Sequence, residues 1–527
     1  MTQATKPNIL LVMTDQHRPD HTGFGGNTVV QTPNLDALAS TSVRFDRAFV
    51  ANPICMPNRA SIFTSRMPSL HGTRYNGIAL DWRVETFPRA LKNAGYHTAH
   101  LGKCHLQNMN IMASIARKQT DRMTPGDAIS LAHYPQGWDQ YENLARHARE
   151  RVTMPDDYYG FAEVDLVVAH SDQCGGHYYQ WLKDQGVDPA SIQGASGAYE
   201  YDSPSHMTRK TRTPVELYPT SYITDVTSRF LQERSKQPQT PFMAVVSYPD
   251  PHHPFTPPGK YFDMYDQESI PTPDAFHHPA DKLPPHVANL HGQREDGSVF
   301  KDGVMSFACT EQEARGAIAL NYGSITMIDD AIGQVLAKLE ELGMADNTIV
   351  IFTSDHGDYM GDHQLLLKGA IHYQGLIRVG CVWMDPRSSD AGRTSDQLCG
   401  TIDLPTSILD RAGVEGFNGM QGKVLPDIAD GKDGYDSLVI EEDQRRSLMG
   451  FPPHYRVRSL VTDRYRLSMY SCVEWGELYD LHNDPNEFEN LWDDPSHAGT
   501  RAELTERLAR RLIDLADSSP FCTGHGP

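Results

Sequence analysis

Three stretches of this chain end an apolar run on side chains that can hold or move charge. Asn8-Ile-Leu-Leu-Val-Met-Thr14 runs into Asp15-Gln16, and Thr348-Ile-Val-Ile-Phe-Thr353 runs into Ser354-Asp355-His356-Gly357. Phe242-Met-Ala-Val-Val-Ser-Tyr248 runs into Pro249-Asp-Pro-His252-His253-Pro-Phe255. Carboxylates, an amide oxygen and an imidazole are groups that can bind a divalent cation, and Asp15, Gln16, Asp355 and His356 bring them to strand ends. Each acid alone would be a loop cap or a surface charge. Lys103 and His105 are two apart, which in a strand puts a cation and an imidazole on one face. Cys55 lies four residues before Arg59 in Cys55-Met-Pro-Asn-Arg59. On its own that spacing describes only a buried thiol near a helix start.

The elements that must position these groups follow from the same pattern. Continuous apolar runs are buried parallel strands, whose carboxyl ends carry the sites of open α/β sheets. Ile325, Ile328, Ile332, Val335, Leu336, Leu339 and Leu342 recur at helical spacing and stop at Gly343. Strands alternating with helices predict an α/β fold, a large mostly parallel sheet covered by helices on both faces. Residues 106–220 and 256–312 carry many Gly, Pro, His and Tyr without clear period and are read as long-loop insertions. From about residue 415 the pattern shifts to short alternating segments, Tyr455–Val461 and Tyr465–Tyr470, which predict a smaller α+β subdomain on an antiparallel sheet. The expected division is therefore 1–414 and 415–527, the latter with a last helix near 500–517 and an extended tail, Phe521 to Pro527.

At 527 residues the chain exceeds what one core comfortably supports, in keeping with two units. Its net charge of −21 argues against a nucleic-acid partner, which would require a basic face. No apolar stretch is long enough to span a membrane, and Met1 to Lys6 is short and polar, so a cytoplasmic protein is expected. The eight cysteines are scattered without metal-finger spacing, as reduced thiols would be.

The segment Cys55-Met-Pro-Asn-Arg59-Ala-Ser-Ile-Phe-Thr-Ser-Arg66 resembles the signature of type I, formylglycine-dependent sulfatases of the alkaline phosphatase superfamily. Asn58, Phe63 and Ser65 stand where that signature more often has Ser, Leu and Gly. The resemblance continues in order through Thr32-Pro-Asn-Leu-Asp36, Gly95 to His105, Pro251 to Phe255, Thr353 to Gly357, Gly361 to Gly369 and Glu477 to Pro485. It implies an alkaline phosphatase-like fold and a nucleophile made by oxidising Cys55 to formylglycine, with a formylglycine-generating enzyme as maturation partner. A hydrated formylglycine is a geminal diol: one oxygen attacks sulfur, and the other collapses to the aldehyde and expels sulfate. By the same resemblance Asp15, Gln16, Asp355 and His356 are the ligands of a divalent metal, the residue 55 hydroxyl completes its shell and Arg59 holds the diol. Lys103 and Lys368 grip sulfate oxygens, His105 is the base for collapse, and His252 assists the leaving group.

The commoner sulfatase set has two aspartates at the first metal pair and Asp-Asn at the second. Gln16 and His356 remove a negative charge and add a nitrogen, so calcium is the first expectation and manganese the second. Phosphonate monoester and phosphodiester hydrolases with the same nucleophile share these Asp-Gln and Asp-His pairs, but tend to have hydroxyl side chains at the positions of Lys103 and His105. The reading is thus a sulfuric-ester hydrolase acting on a small-molecule sulfate ester. The alternatives are a phosphorus-ester hydrolase or a non-catalytic binding protein on the same scaffold. Self-association through the insertions and tail is an expectation; a redox role for Cys55 lacks a resolving cysteine.

Overall fold

The computed structural model describes residues 6–109, 134–299, 301, 305–522 and 524. Most of the tail, and residues 110–133 of the first expected insertion, lie outside the described residues.

The central sheet is built from β1 (Asn8–Thr14), β2 (Val43–Phe49), β3 (His97–Lys103), β4 (Glu163–Val168), β5 (Gly175–Gly176) and β6 (Phe242–Ser247). A two-residue β7 (Phe307–Ala308) stands apart, pairing with β9 (Leu365–Leu366). The sheet is completed by β8 (Thr348–Ser354), β10 (Arg378–Met384), β11 (Arg393–Ser395) and β12 (Cys399–Gly400). Its order is β11-β2-β10-β8-β1-β6-β3-β4-β5, with β12 also on β2. From β8 through β1, β6 and β3 to β4 every pairing is parallel. β10 is antiparallel to both β8 and β2, so β2 points the same way as β8. β11 and β12 are parallel to β2, so eight strands run the same way and deliver their carboxyl ends to one edge. Apolar clusters fill the space on both sheet faces; β6 and β8 are buried from end to end and β1 from Ile9 onward, as continuous apolar runs require.

The expected long helix spans Glu311–Glu341 and starts earlier than the apolar stripe alone indicated. Thr310 caps it, accepting from the Glu313 backbone N–H while the Glu313 carboxylate accepts from Thr310 N, a reciprocal capping box. The second sheet, β13 (Ser437–Asp443), β14 (Arg456–Thr462), β15 (Tyr465–Tyr470) and β16 (Gly476–Asp480), is antiparallel throughout. The Ala498–Asp514 helix lays Leu504 and Leu508 against it. One expectation is corrected: residues 106–220 are not loop alone, because β4 and β5 belong to the central sheet. Six of the eight cysteines are buried and none forms a disulfide. Among the described residues no helix is long and apolar enough to cross a membrane.

Candidate active site

The Cys55–Thr64 helix follows the carboxyl end of β2 and begins on Cys55 itself. Ile54, the residue before, is extended, and its N–H is taken by the Asn52 side chain at 2.8 Å. The thiol thus sits at the positive end of a helix, where an anion is favoured. Burial and the Asp15 carboxylate push the thiol up, but Lys368, Lys103 and His356 outweigh them and leave it below its ordinary range.

Around Cys55 the strand ends converge. Its Sγ lies 3.1 Å from His356 Nε2, 3.0 Å from Lys368 Nζ and 3.8 Å from Asp15 Oδ1. Donor atoms of Asp15, Cys55, Asp355 and His356 all fall within 4.8 Å of one another, and all four residues are buried. Arg59, one helical turn on, is fully buried: its Nε donates to Asp355 Oδ2 at 2.7 Å and its Nη2 to Asp15 Oδ2 at 3.4 Å. Burial alone would raise Asp15, yet Lys103, Arg59, His170 and Lys368 hold it well below the usual carboxylate range, so it is ionised. Asn58, the departure from the commoner Ser, donates to the Asp355 carbonyl and accepts from Ala51 N and Thr401 Oγ1, both at 3.0 Å.

The donor set fits a divalent cation. His356 Nδ1 is 2.8 Å from the Gly357 carbonyl, so that nitrogen donates and Nε2 faces the carboxylates, 3.8 Å from Asp15 Oδ1 and from Asp355 Oδ1. Gln16, held at φ 61°, donates its amide nitrogen to Asp358, which leaves Oε1 pointing inward, 2.9 Å from Lys368 Nζ. An ammonium group already stands against these donors, since Lys368 Nζ is also 3.2 Å from His356 Nε2.

Lys103, at the end of β3, is buried and donates to Asp15 Oδ2. The expectation that His105 shares its strand face is corrected. β3 stops at Lys103, and His105 takes φ 57°, with its N–H bonded to Glu142 at 2.7 Å. The ring nonetheless lies in the site's field: after burial, Lys103 and Arg59 are the strongest influences holding it well below the usual imidazole range. His105 Nδ1 and His253 Nε2 are buried without a hydrogen-bond partner, the kind of orphaned polar atom that a bound ligand explains. His252 Nε2 is 2.9 Å from Lys368 Nζ, while its Nδ1 faces the His253 carbonyl.

One residue of the site was absent from the sequence reading. His170, just past β4, stacks on His252 with centroids 3.6 Å apart and an interplanar angle of 13°, and its Nε2 is 2.7 Å from Lys103 Nζ. The signal was available, since Leu166-Val-Val168 is a short apolar run ending on polar residues, but it lay within a segment read as loop.

Fold and site together define an α/β protein with a buried thiol and two ammonium groups gathered at the carboxyl edge of its sheet. A sulfatase family model matches residues 7–414, and a model described as N-sulphoglucosamine sulphohydrolase, C-terminal, matches residues 361–514. An arylsulfatase of Clostridium perfringens is 30% identical over 495 residues, spanning 92% of this chain and 90% of its own. A multifunctional alkaline phosphatase superfamily protein of Trinickia caryophylli is 28% identical over 540 residues, 97% of this chain and 96% of its own. In fold the chain is similar to a phosphonate monoester hydrolase of Agrobacterium radiobacter, with a TM-score of 0.77 at 24% identity, covering 98% and 97% of the two chains. The chain belongs to the sulfatase family.

Proposed function

We propose that this protein hydrolyses small-molecule sulfuric esters with a formylglycine made from Cys55, and that Asp15, Gln16, Asp355 and His356 hold a divalent cation beside it. The observation that carries the reading is the placing of Cys55: at a helix start, 3.0 Å from Lys368 Nζ, 3.1 Å from His356 Nε2, with Arg59 bridging both site carboxylates. Bound there, a divalent cation supplies a lowered hydroxyl pKa and neutralises charge gathering on oxygen.

The chain's own residues do the rest. Lys103 and Lys368 bind sulfuryl oxygens and Arg59 fixes the diol. The deprotonated diol oxygen forms a bond to sulfur as the bond from sulfur to the leaving oxygen breaks, and His252 supplies that oxygen with a proton. Burial, Lys368, His253 and Lys103 keep the resting His252 ring neutral. An anionic ester between the two lysines offsets their charge and favours the protonated ring. His105 then takes the proton of the second hydroxyl as the carbon–oxygen bond to sulfate breaks, which restores the aldehyde; one water rehydrates it.

A second reading, phosphonate monoester hydrolysis, is favoured by the Asp-Gln and Asp-His donor pairs. The deciding experiment takes peptide mass spectra of protein made with and without a formylglycine-generating enzyme, and assays each on an aryl sulfate and a phosphonate monoester. A Cys55 peptide lighter by about 18 Da, with sulfate-ester turnover tracking that fraction, is the expected result. Retained activity in Cys55→Ala would overturn it, and a rate ratio favouring the phosphonate would select the second reading.

A further inference from the structure

His170 has no role in the chemistry above, yet the chain is bent to bring it there. Ala169 and Ser171 on either side hold φ of 75° and 50°, a left-handed conformation that non-glycine residues adopt only when their surroundings impose it. Ser171 Oγ in turn donates to the His252 carbonyl at 2.7 Å, tying this turn to the segment that carries His252. The result is an imidazole packed flat on one site residue while its Nε2 meets the ammonium of another.

We propose that His170 is a positioning residue that aims the Lys103 ammonium at the sulfuryl group, an inference that rests on the sulfuric-ester reading of this site. An ammonium has three N–H donors and no acceptor. Asp15 Oδ2 takes one and His170 Nε2 takes a second, at 2.7 Å. With two donors committed, rotation about the Cε–Nζ bond is fixed and the third N–H has one direction left. Without His170 the ammonium has only Asp15 to hold it and turns freely about that contact. Lys368 needs no such partner, because Gln16 Oε1, Cys55 Sγ and His252 Nε2 surround it at 2.9 to 3.0 Å.

Two variants separate the acceptor from the stacked ring. His170→Gln offers Lys103 an acceptor without the stack, and His170→Phe offers the stack without an acceptor. Each is prepared with Cys55 converted and characterised by kcat and KM on aryl sulfates of good and poor leaving groups, by calorimetric affinity for inorganic sulfate, and by metal content. The expected result is a fall in kcat/KM of about 100-fold in His170→Phe, by the same factor on both esters, as for loss of one aimed donor. Weaker sulfate binding should accompany it, and His170→Gln should recover to within about tenfold of the parent. Equal losses in both variants, or none in His170→Phe, would overturn the proposal. So would loss of bound metal, which would make His170 a ligand alongside Cys55 and His252, whose donor atoms lie within 4.8 Å. If the converted parent turns over no sulfate ester, the functional reading itself fails. The sulfate affinities of the two variants still decide what His170 does to Lys103.

Discussion

At the scale of single residues, the departures from the usual sulfatase pattern are each tied to a neighbour. Gln16, whose amide nitrogen is also 3.1 Å from His253 Nδ1, donates to Asp358, whose other oxygen accepts from Met360 N at 2.7 Å and Leu367 N at 3.0 Å. Burial pushes Asp358 up to about 6 despite those bonds, so a second carboxylate beside it would be strongly disfavoured. Gln16→Asp, which restores the commoner ligand, is therefore expected to lower metal content and kcat/KM, and Gln16→Asp with Asp358→Asn to regain part of both. The coupling should be about 1–3 kcal/mol in a double-mutant cycle on kcat/KM, and additive losses would refute it. Ser65 behaves similarly. It ends the Cys55 helix at φ 54°, where the usual glycine would relieve about 1 kcal/mol of strain. Its hydroxyl, however, donates to the Ile402 carbonyl at 2.8 Å and accepts from Gly422 N at 3.1 Å, and orphaning such groups costs about 1–3 kcal/mol. Ser65→Gly should thus destabilise by about 1 kcal/mol in urea unfolding; a gain would show that strain outweighs the bonds.

At the scale of elements, β3 shows both what the sequence reveals and where it stops. The runs that became β1, β6 and β8 were legible because strands buried on both faces are apolar throughout, and their polar ends marked Asp15, His252 and Asp355. β4 was not legible because its first half is exposed or half-buried, which breaks the run and hides His170. The shared face expected of Lys103 and His105 assumed extended backbone, but the strand, with Gly102 at φ 112° within it, ends at Lys103 and His105 at φ 57° turns the chain away. Gly102 is required there, since a Cβ would lie 2.0 Å from the Ser247 carbonyl oxygen. Nor could the sequence show that His100, on the same strand, packs between Phe63 of the Cys55 helix and Phe161 with both ring nitrogens unpartnered. Burial, helped by Arg59, pulls it down to about 3. A depressed folded-state value means that its stability contribution is complete above about 6.5 and is lost as pH falls from there toward 3. His100→Leu removes that loss and two unsatisfied polar atoms. The variant should gain on the parent by about 1.4 kcal/mol per pH unit as pH falls through this window, read from urea midpoints. Parallel pH profiles would exclude the buried neutral imidazole.

At the scale of the molecule, the second sheet reaches the site through the loop that carries Lys368. His372, four residues on, places Nδ1 2.7 Å from Ser459 Oγ on β14 and Nε2 3.1 Å from Glu442 on β13. Gln374 N donates to Glu487 at 2.9 Å, and Glu487 is fixed by Arg466 of β15, which is wholly buried and also donates to Glu477 on β16 at 3.0 Å. Gly357 is pressed against this loop from the Asp355–His356 side, where a Cβ would meet the Gly375 carbonyl oxygen at 2.0 Å. The loop is thus clamped between β8 and the antiparallel sheet, and Arg466 pairs with two buried carboxylates, one of which, Glu477, also has His286 at 3.3 Å. Arg466→Met leaves Glu477 and Glu487 without it, and breaking a buried pair in this way costs about 3–5 kcal/mol. Thermal unfolding should show that loss. Assays well below the unfolding transition should show kcat/KM on a sulfate ester falling as well, because Lys368 loses its support. Adding Glu477→Gln and Glu487→Gln removes the stranded charges and should restore much of the stability but not the anchoring of Gln374, so activity should recover less than stability does. If instead the folded Arg466→Met protein keeps the parent kcat/KM, the second sheet stabilises the chain without positioning Lys368.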